Sequence, residues 1–350
     1  ERGPGRNRTM LTIDGAHGEG GGQIVRSALA LALATGTPFR IERIRAGRQR
    51  PGLRRQHLTC VAAARTMSNA EVEGAELGSD WLSFRPGTLT AGRYRFAIGT
   101  AGSTLLVVQA LLPALLRDGR AWHLTLDGGT HNPAAPSFDF FTRALAPLLA
   151  RLGARVTATL EQVGFYPAGG GRIAVAVAAG SQLGGLELTT RGPIRRRAIT
   201  AVLARLPRAI GEREIATASR RLDWDPAVGA VVEVESAGPG NALSIVVEAE
   251  HVTEVFTGHG ARGVPAERVA LAAADECAAY LATTAPVGRY LADQLIVPLA
   301  LGAGGRFVTV APSRHTQTQI DLLRGFTGSK VGLRPRDDGS WEVTVPSARG

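Results

Sequence analysis

Gly20-Gly21-Gly22-Gln23 leads into an apolar, helix-like stretch from Ile24 to Ala34 that stops at Thr35-Gly36, and the chain returns to this pattern twice. Thr100-Ala101-Gly102-Ser103 opens the stretch Thr104 to Leu116, which stops near Asp118-Gly119. Tyr290 to Leu301 is the third, stopping at Gly302 to Gly305. After a few strand-like residues each is followed by a second helical stretch: Leu53 to Met67, Pro136 to Leu152, and His315 to Phe326. Alternating strands come next, such as Ala70-Glu71-Val72-Glu73 and Ala154-Arg155-Val156-Thr157. Apolar spacing that switches between helical and two-residue periods reads as α/β or α+β, and its recurrence in fixed order reads as an internal repeat.

Three copies of a helix–strand–helix–strands unit account for residues 11 to about 180 and 285 to 345. Between the second and third copies lies an insertion that starts near Leu186 with strand-like Glu187-Leu188-Thr189-Thr190 and ends near a helix over Ala266 to Ala282. Inside it, Arg205 to Leu222 reads as helix, while Val231 to Glu235 and Ser244 to Glu248 alternate as strands. The expected organisation is a discontinuous large domain, residues 10–185 with 283–350, and a small α/β domain inserted over 186–282.

At 350 residues, 44% hydrophobic and 20% charged, the chain can bury a core without staples. No apolar run reaches the roughly 18 residues of a membrane span. Glu1 to Arg8 has no apolar segment of a secretory signal, and Met10 is the expected natural start. Cys60 and Cys277 make neither a disulfide framework nor a zinc set, so the cytosol is the expected compartment. The net charge of +10 is carried almost wholly by arginine, because Lys330 is the single lysine. A GC-rich genome explains such usage, and so does a polyanionic partner gripped by guanidinium forks. Lys330 is followed by Val331, which excludes a P-loop, and its setting does not resemble that of a nucleotidyl-accepting lysine.

Asp14-Gly15-Ala16-His17-Gly18-Glu19-Gly20-Gly21-Gly22-Gln23 sits between a strand and a helix. Glycines there admit a phosphate at a helix N-terminus, and a tight turn explains them equally well. Glu19 fits a phosphate cradle if it holds a cation or a hydroxyl. Arg45 to Arg55 holds five arginines in eleven residues, shaped by Gly47 and Pro51-Gly52. A solvated face is the ordinary reading of such charge; the shaped loop favours phosphate binding. None of the seven histidines has metal spacing, and Gly258-His259-Gly260 reads as a turn. Tyr290, Asp293 and Gln294 share one helical face suited to a nucleoside, with core packing and capping as the plainer readings.

Together these segments resemble the RNA 3′-terminal phosphate cyclase family. The matches include Gly18 to Ser27, Ile44 to Arg48, Pro51-Gly52-Leu53 with Gln56 to Thr59, and Gly74 to Ser79. Phe84 to Gly87, Gly128-Gly129-Thr130, Phe165 to Gly171, Tyr290 to Gln294 and His315 complete a resemblance over nearly the whole chain. It implies three repeats of two helices on a four-stranded sheet plus an inserted small α/β domain, an architecture also similar to the enolpyruvyl transferases. The implied activity is ATP-dependent conversion of an RNA 3′-phosphate to a 2′,3′-cyclic phosphate through a histidyl–AMP and an RNA–AMP anhydride, aided by Mg or Mn.

By that resemblance His315 is the nucleotidyl acceptor. Gln109, Pro136, Tyr290, Leu291, Ala292, Asp293 and Gln294 bind ATP, Arg26, Arg45, Arg48 and Gln56 hold the RNA terminus or phosphates, and Glu19 lies at the metal. His131 departs from the acidic residue expected after Gly128-Gly129-Thr130 and receives no role. A non-catalytic RNA-processing relative would lack His315, and enolpyruvyl transfer would give no use to the Tyr290–Gln294 face.

Overall fold

The computed structural model describes residues 9–348; the stretch Glu1 to Arg8 lies outside them. The first repeat is β1 (Leu11–Asp14), α1 (Gly22–Thr35), β2 (Phe39–Glu42), α2 (Arg55–Ser68), β3 (Glu71–Glu73) and β4 (Leu82–Arg85). The second is β5 (Arg93–Ala97), α3 (Thr104–Asp118), β6 (Trp122–Gly128), α4 (Ala146–Arg151), β7 (Val156–Gln162) and β8 (Gly171–Val177). The third starts with β9 (Leu186–Leu188). The insertion then supplies β10 (Ile194–Ala204), α5 (Arg208–Leu222), β11 (Gly229–Glu233), β12 (Gly240–Ala249), β13 (Thr253–His259) and α6 (Ala266–Leu281). The third repeat resumes with α7 (Arg289–Leu301), β14 (Gly305–Thr309), α8 (Arg314–Thr327), β15 (Gly332–Pro335) and β16 (Trp341–Val345).

Each repeat builds one sheet in the same order: β1-β2-β4-β3, β5-β6-β8-β7 and β9-β14-β16-β15. In each, the first two strands are parallel and joined through the first helix, and the last two return antiparallel. The insertion forms a fourth sheet, β11-β10-β12-β13, with α5 and α6 packed on it. This is an α/β fold.

One boundary differs from the sequence reading. Leu186–Leu188, taken there as the start of the insertion, pairs in parallel with β14 and buries Leu186 and Leu188 in the large core. A three-residue strand is too short to declare its partner, and its partner lies more than a hundred residues downstream. The second helix of repeat two also differs. It begins after Pro136, with the Ser137 hydroxyl accepting the Phe140 N–H at 3.1 Å, and passes through a π-helical turn at Phe140–Leu145 before α4. A proline has no N–H to offer inside a helix.

The first helices α1, α3 and α7 pack against one another at the centre, α1 on α3 and α3 on α7. They are buried nearly all round, which is why their sequences are apolar on every face. Their N-termini converge with that of α8, and this convergence positions the site. Among the described residues no helix is long and apolar enough to cross a membrane.

Candidate active site

His315 stands in the first turn of α8, half-buried. Its Nδ1 lies 2.5 Å from Oε1 of Gln23 in the first turn of α1. The orientation of that amide follows from its other partners. Gln23 Nε2 donates to the His315 carbonyl at 3.3 Å and to Gln319 Oε1 at 3.0 Å, and Ser27 Oγ donates to the same Gln319 oxygen at 2.7 Å. The Gln23 oxygen therefore faces a donor, so Nδ1 of His315 carries the proton and Nε2 keeps a free lone pair. Burial first, then the charges of Arg26, Arg48 and Arg289, holds the His315 pKa below its ordinary value. Both effects favour the neutral ring.

Asp293 of α7 secures the turn that carries His315. It accepts from Ser313 Oγ at 3.1 Å and from Thr316 Oγ1 at 2.5 Å, while Ser313 caps α8 by accepting the Thr316 N–H at 3.0 Å. Burial pushes the Asp293 carboxyl up to about 6, partly countered by those two hydroxyls. Neither capping of its own helix nor nucleoside contact alone describes this residue; it ties α7 to the helix that carries His315.

Before α1, the glycine-rich loop turns through left-handed Gly18 and Gly20, both at φ 61°, where a side chain would be strained. The Glu19 N–H donates to Thr318 Oγ1 at 3.0 Å. Glu19 Oε1 pairs with Arg48, whereas buried Oε2 has no hydrogen-bond partner. His57 lies against Gly22; it accepts the Arg54 N–H on Nδ1 at 3.0 Å, and burial beside Arg26 depresses its pKa to about 3. Arg26 donates to Gln109 Oε1 at 3.1 Å.

An open cavity of about 370 Å³ extends from these groups. The large domain contributes Gln23, Arg26, Gln109, Pro136, Phe140, Tyr290, Asp293, Gln294 and His315. The inserted domain closes the opposite wall with Val255, Thr257 and His259, alternate residues on one face of β13, and with Ala272 and Glu276 of α6. Tyr290 donates its hydroxyl to Glu276 across the gap at 3.0 Å. A basic, glycine-lined end carrying a neutral histidine opens into an aromatic and apolar chamber, an arrangement suited to a nucleoside phosphate.

The sequence model of the RNA 3'-terminal phosphate cyclase family matches residues 17–333. The chain belongs to this family of enzymes. It is 50% identical over 332 residues to the RNA 3'-terminal phosphate cyclase of Ralstonia nicotianae, covering 94% of this chain and 95% of that one. Identity to that of Koribacter versatilis is 49% over 318 residues, with 91% and 90% covered. For the Salmonella typhimurium cyclase it is 47% over 331 residues, with 94% and 97% covered.

Against this family frame, the residues expected from the sequence separate into three groups. Arg26, Gln109, Pro136, Tyr290, Asp293, Gln294 and His315 meet at the cavity. Glu19 and Arg48 pair with each other beside it; Arg45 turns inward to the carbonyls of Arg50 and Gly52, and Gln56 reaches the Ser103 carbonyl at 3.5 Å. Leu291 and Ala292 do not line the site. Their side chains are buried in the core, because positions 291 and 292 point away from the face shared by 290, 293 and 294. Sequence reasoning gave no role to Gln23, Gln319, Thr316, His57, His259 or Glu276. A signal existed for one of them: Gln319 follows His315 by four residues, on the same helical face.

Proposed function

We propose that this protein converts an RNA 3′-phosphate to a 2′,3′-cyclic phosphate at the expense of ATP, through an AMP carried on Nε2 of His315. The observation that carries the reading is the hydrogen-bond chain Ser27–Gln319–Gln23–His315, which leaves the His315 Nε2 lone pair free in a cavity shaped for a nucleotide. In the first step Nε2 attacks the α-phosphorus of ATP, the N–P bond forms and pyrophosphate leaves. The ring becomes cationic, and Gln23 Oε1 accepts its Nδ1–H throughout. An RNA 3′-phosphate oxygen then takes the AMP and breaks the N–P bond. The vicinal 2′-hydroxyl attacks the activated 3′-phosphorus, loses its proton, and expels AMP.

Tyr290 and Pro136 border the space for the adenine ring, and Arg26 with the α1 N-terminus supports the phosphates. The unpartnered buried Oε2 of Glu19 fits a divalent cation, which Glu19 would hold there. When bound, that ion neutralises triphosphate charge. Arg48 holds the other Glu19 oxygen and so fixes the carboxylate's direction.

The test is incubation with α-labelled ATP. Wild-type protein should acquire label through an acid-labile, base-stable bond. His315→Ala should acquire none, yet should still cyclise a pre-adenylylated RNA 3′ end. Covalent labelling of His315→Ala would place the nucleophile elsewhere.

A further inference from the structure

The segment Phe165 to Gly171 has no part in the cavity, yet it presents an aromatic ring to solvent: Tyr166 is 65% exposed. Among the large apolar side chains that are exposed, the aromatic ones are Tyr166 and Tyr290, and Tyr290 already lines the cavity. The loop beneath Tyr166 is firmly built. The Gly169 N–H donates to the Phe165 carbonyl at 2.7 Å, and Phe165 is buried against the His131 ring at 5.2 Å and over Gly240, where any side chain would strike it. Ala168 packs against Gly238 of the inserted domain. A ring held on such a loop loses little freedom on binding.

The loop also lies near the N-terminus of α2. Gly169 abuts Ala101, Gly102 abuts Gln56, and Gln56 opens α2 next to Arg54 and Arg55. Among the described residues Arg50, Arg54 and Arg55 form no ion pair. In the inserted domain Arg195 pairs with Glu250, Arg213 with Glu267 and Arg221 with Asp275, and Arg197 lies over Trp224, whereas Arg205, Arg220, Arg262 and Arg268 form no ion pair among the described residues. The N-terminus of α2 thus carries unpaired arginines, and the contacts through Gly102, Ala101 and Gly169 bring it close to the loop that holds Tyr166. From this we infer that Tyr166 is a stacking platform for the bases of single-stranded RNA upstream of the reacting 3′ end. Stacking on an aromatic face is tolerant of sequence and suits an enzyme that must accept many 3′ ends. The inference rests on the proposed function.

Two substrates separate the two ideas: a 3′-phosphorylated RNA decamer and uridine 3′-phosphate, which has no upstream base. Tyr166→Ala should raise KM for the decamer by about 5- to 150-fold, the equivalent of ~1–3 kcal/mol for one stacked base. It should leave uridine 3′-phosphate and covalent AMP labelling unchanged, and Tyr166→Phe should keep the wild-type KM for the decamer. An unchanged decamer KM in Tyr166→Ala overturns the inference. So does an equal loss on both substrates, a loss of labelling, or a Phe variant as weak as the Ala variant. A wild-type protein that takes no label at all overturns the functional reading itself.

Discussion

The tautomer of His315 depends on a residue 292 positions away, Gln23, whose amide oxygen faces the ring because its nitrogen is occupied elsewhere. Replacing it tests both the geometry and the charge. Gln23→Leu should slow AMP labelling by roughly 10- to 100-fold, the scale of one hydrogen bond to a charged ring. Gln23→Glu should raise the His315 pKa, because a carboxylate favours the imidazolium. Labelling by that variant should therefore be poor near neutrality and recover as pH rises, whereas the wild-type rate should hold to below the ordinary histidine range. Rate measurements across pH decide this, and superimposable profiles would remove Gln23 from the mechanism. The sequence displayed Gln23 inside a glycine motif, but its role needs α1 beside α8, a long-range fact no local pattern carries. Leu291 and Ala292 show the opposite limit: their neighbours in sequence line the cavity, while helical spacing turns their own side chains into the core.

Among elements, the six large-domain helices were legible because each has an apolar stretch and a punctuating stop, such as Gly36 and Gly119. What escaped was whatever lacks a local signature: the partner of three-residue β9 and the π-helical turn at Phe140–Leu145. The arginine loop between β2 and α2 was legible as charge but not as architecture. Arg45 donates to the carbonyls of Arg50 and Gly52 at 2.7 and 3.0 Å, holding the loop closed, whereas Arg48 reaches out to Glu19. These two arginines should therefore fail differently. Arg45→Ala should lower Tm, with a stability loss of ~1–3 kcal/mol for two bonds, and weaken labelling as a consequence. Arg48→Ala should leave Tm nearly unchanged, since a half-exposed ion pair contributes little, yet reduce labelling by freeing the Glu19 carboxylate. Thermal melts alongside label incorporation test the distinction; equal Tm for both variants would contradict it.

Across the whole molecule, the inserted domain is bound to the catalytic helices rather than suspended from them. Glu254 of β13 is buried, and its Oε1 accepts the N–H of Gly288, the N-cap residue just before α7, at 2.5 Å. Cys277 and Tyr280 of α6 crowd the same carboxyl, and their own pKa values are raised by burial. Burial pushes Glu254 up to about 8, only partly countered by the N–H groups of Gly288 and Val255. The unfolded chain releases this proton near the ordinary carboxyl value of 4.5, while the folded protein keeps it until about pH 8. Folding is thus most favoured by this group at low pH, and that contribution is lost as pH rises through the window between the two values. Glutamine cannot ionise and still presents an oxygen to Gly288. Glu254→Gln should therefore melt close to wild type near pH 5 and above it near pH 9, with a gap of roughly 2–4 °C for each kcal/mol recovered. The raised carboxyls of Asp293 and Glu214 titrate equally in both proteins, so they cancel from the comparison. Melting curves that stay parallel between the two pH values would show that the buried carboxyl is ionised throughout, stabilised by the N-terminus of α7 more strongly than burial opposes it.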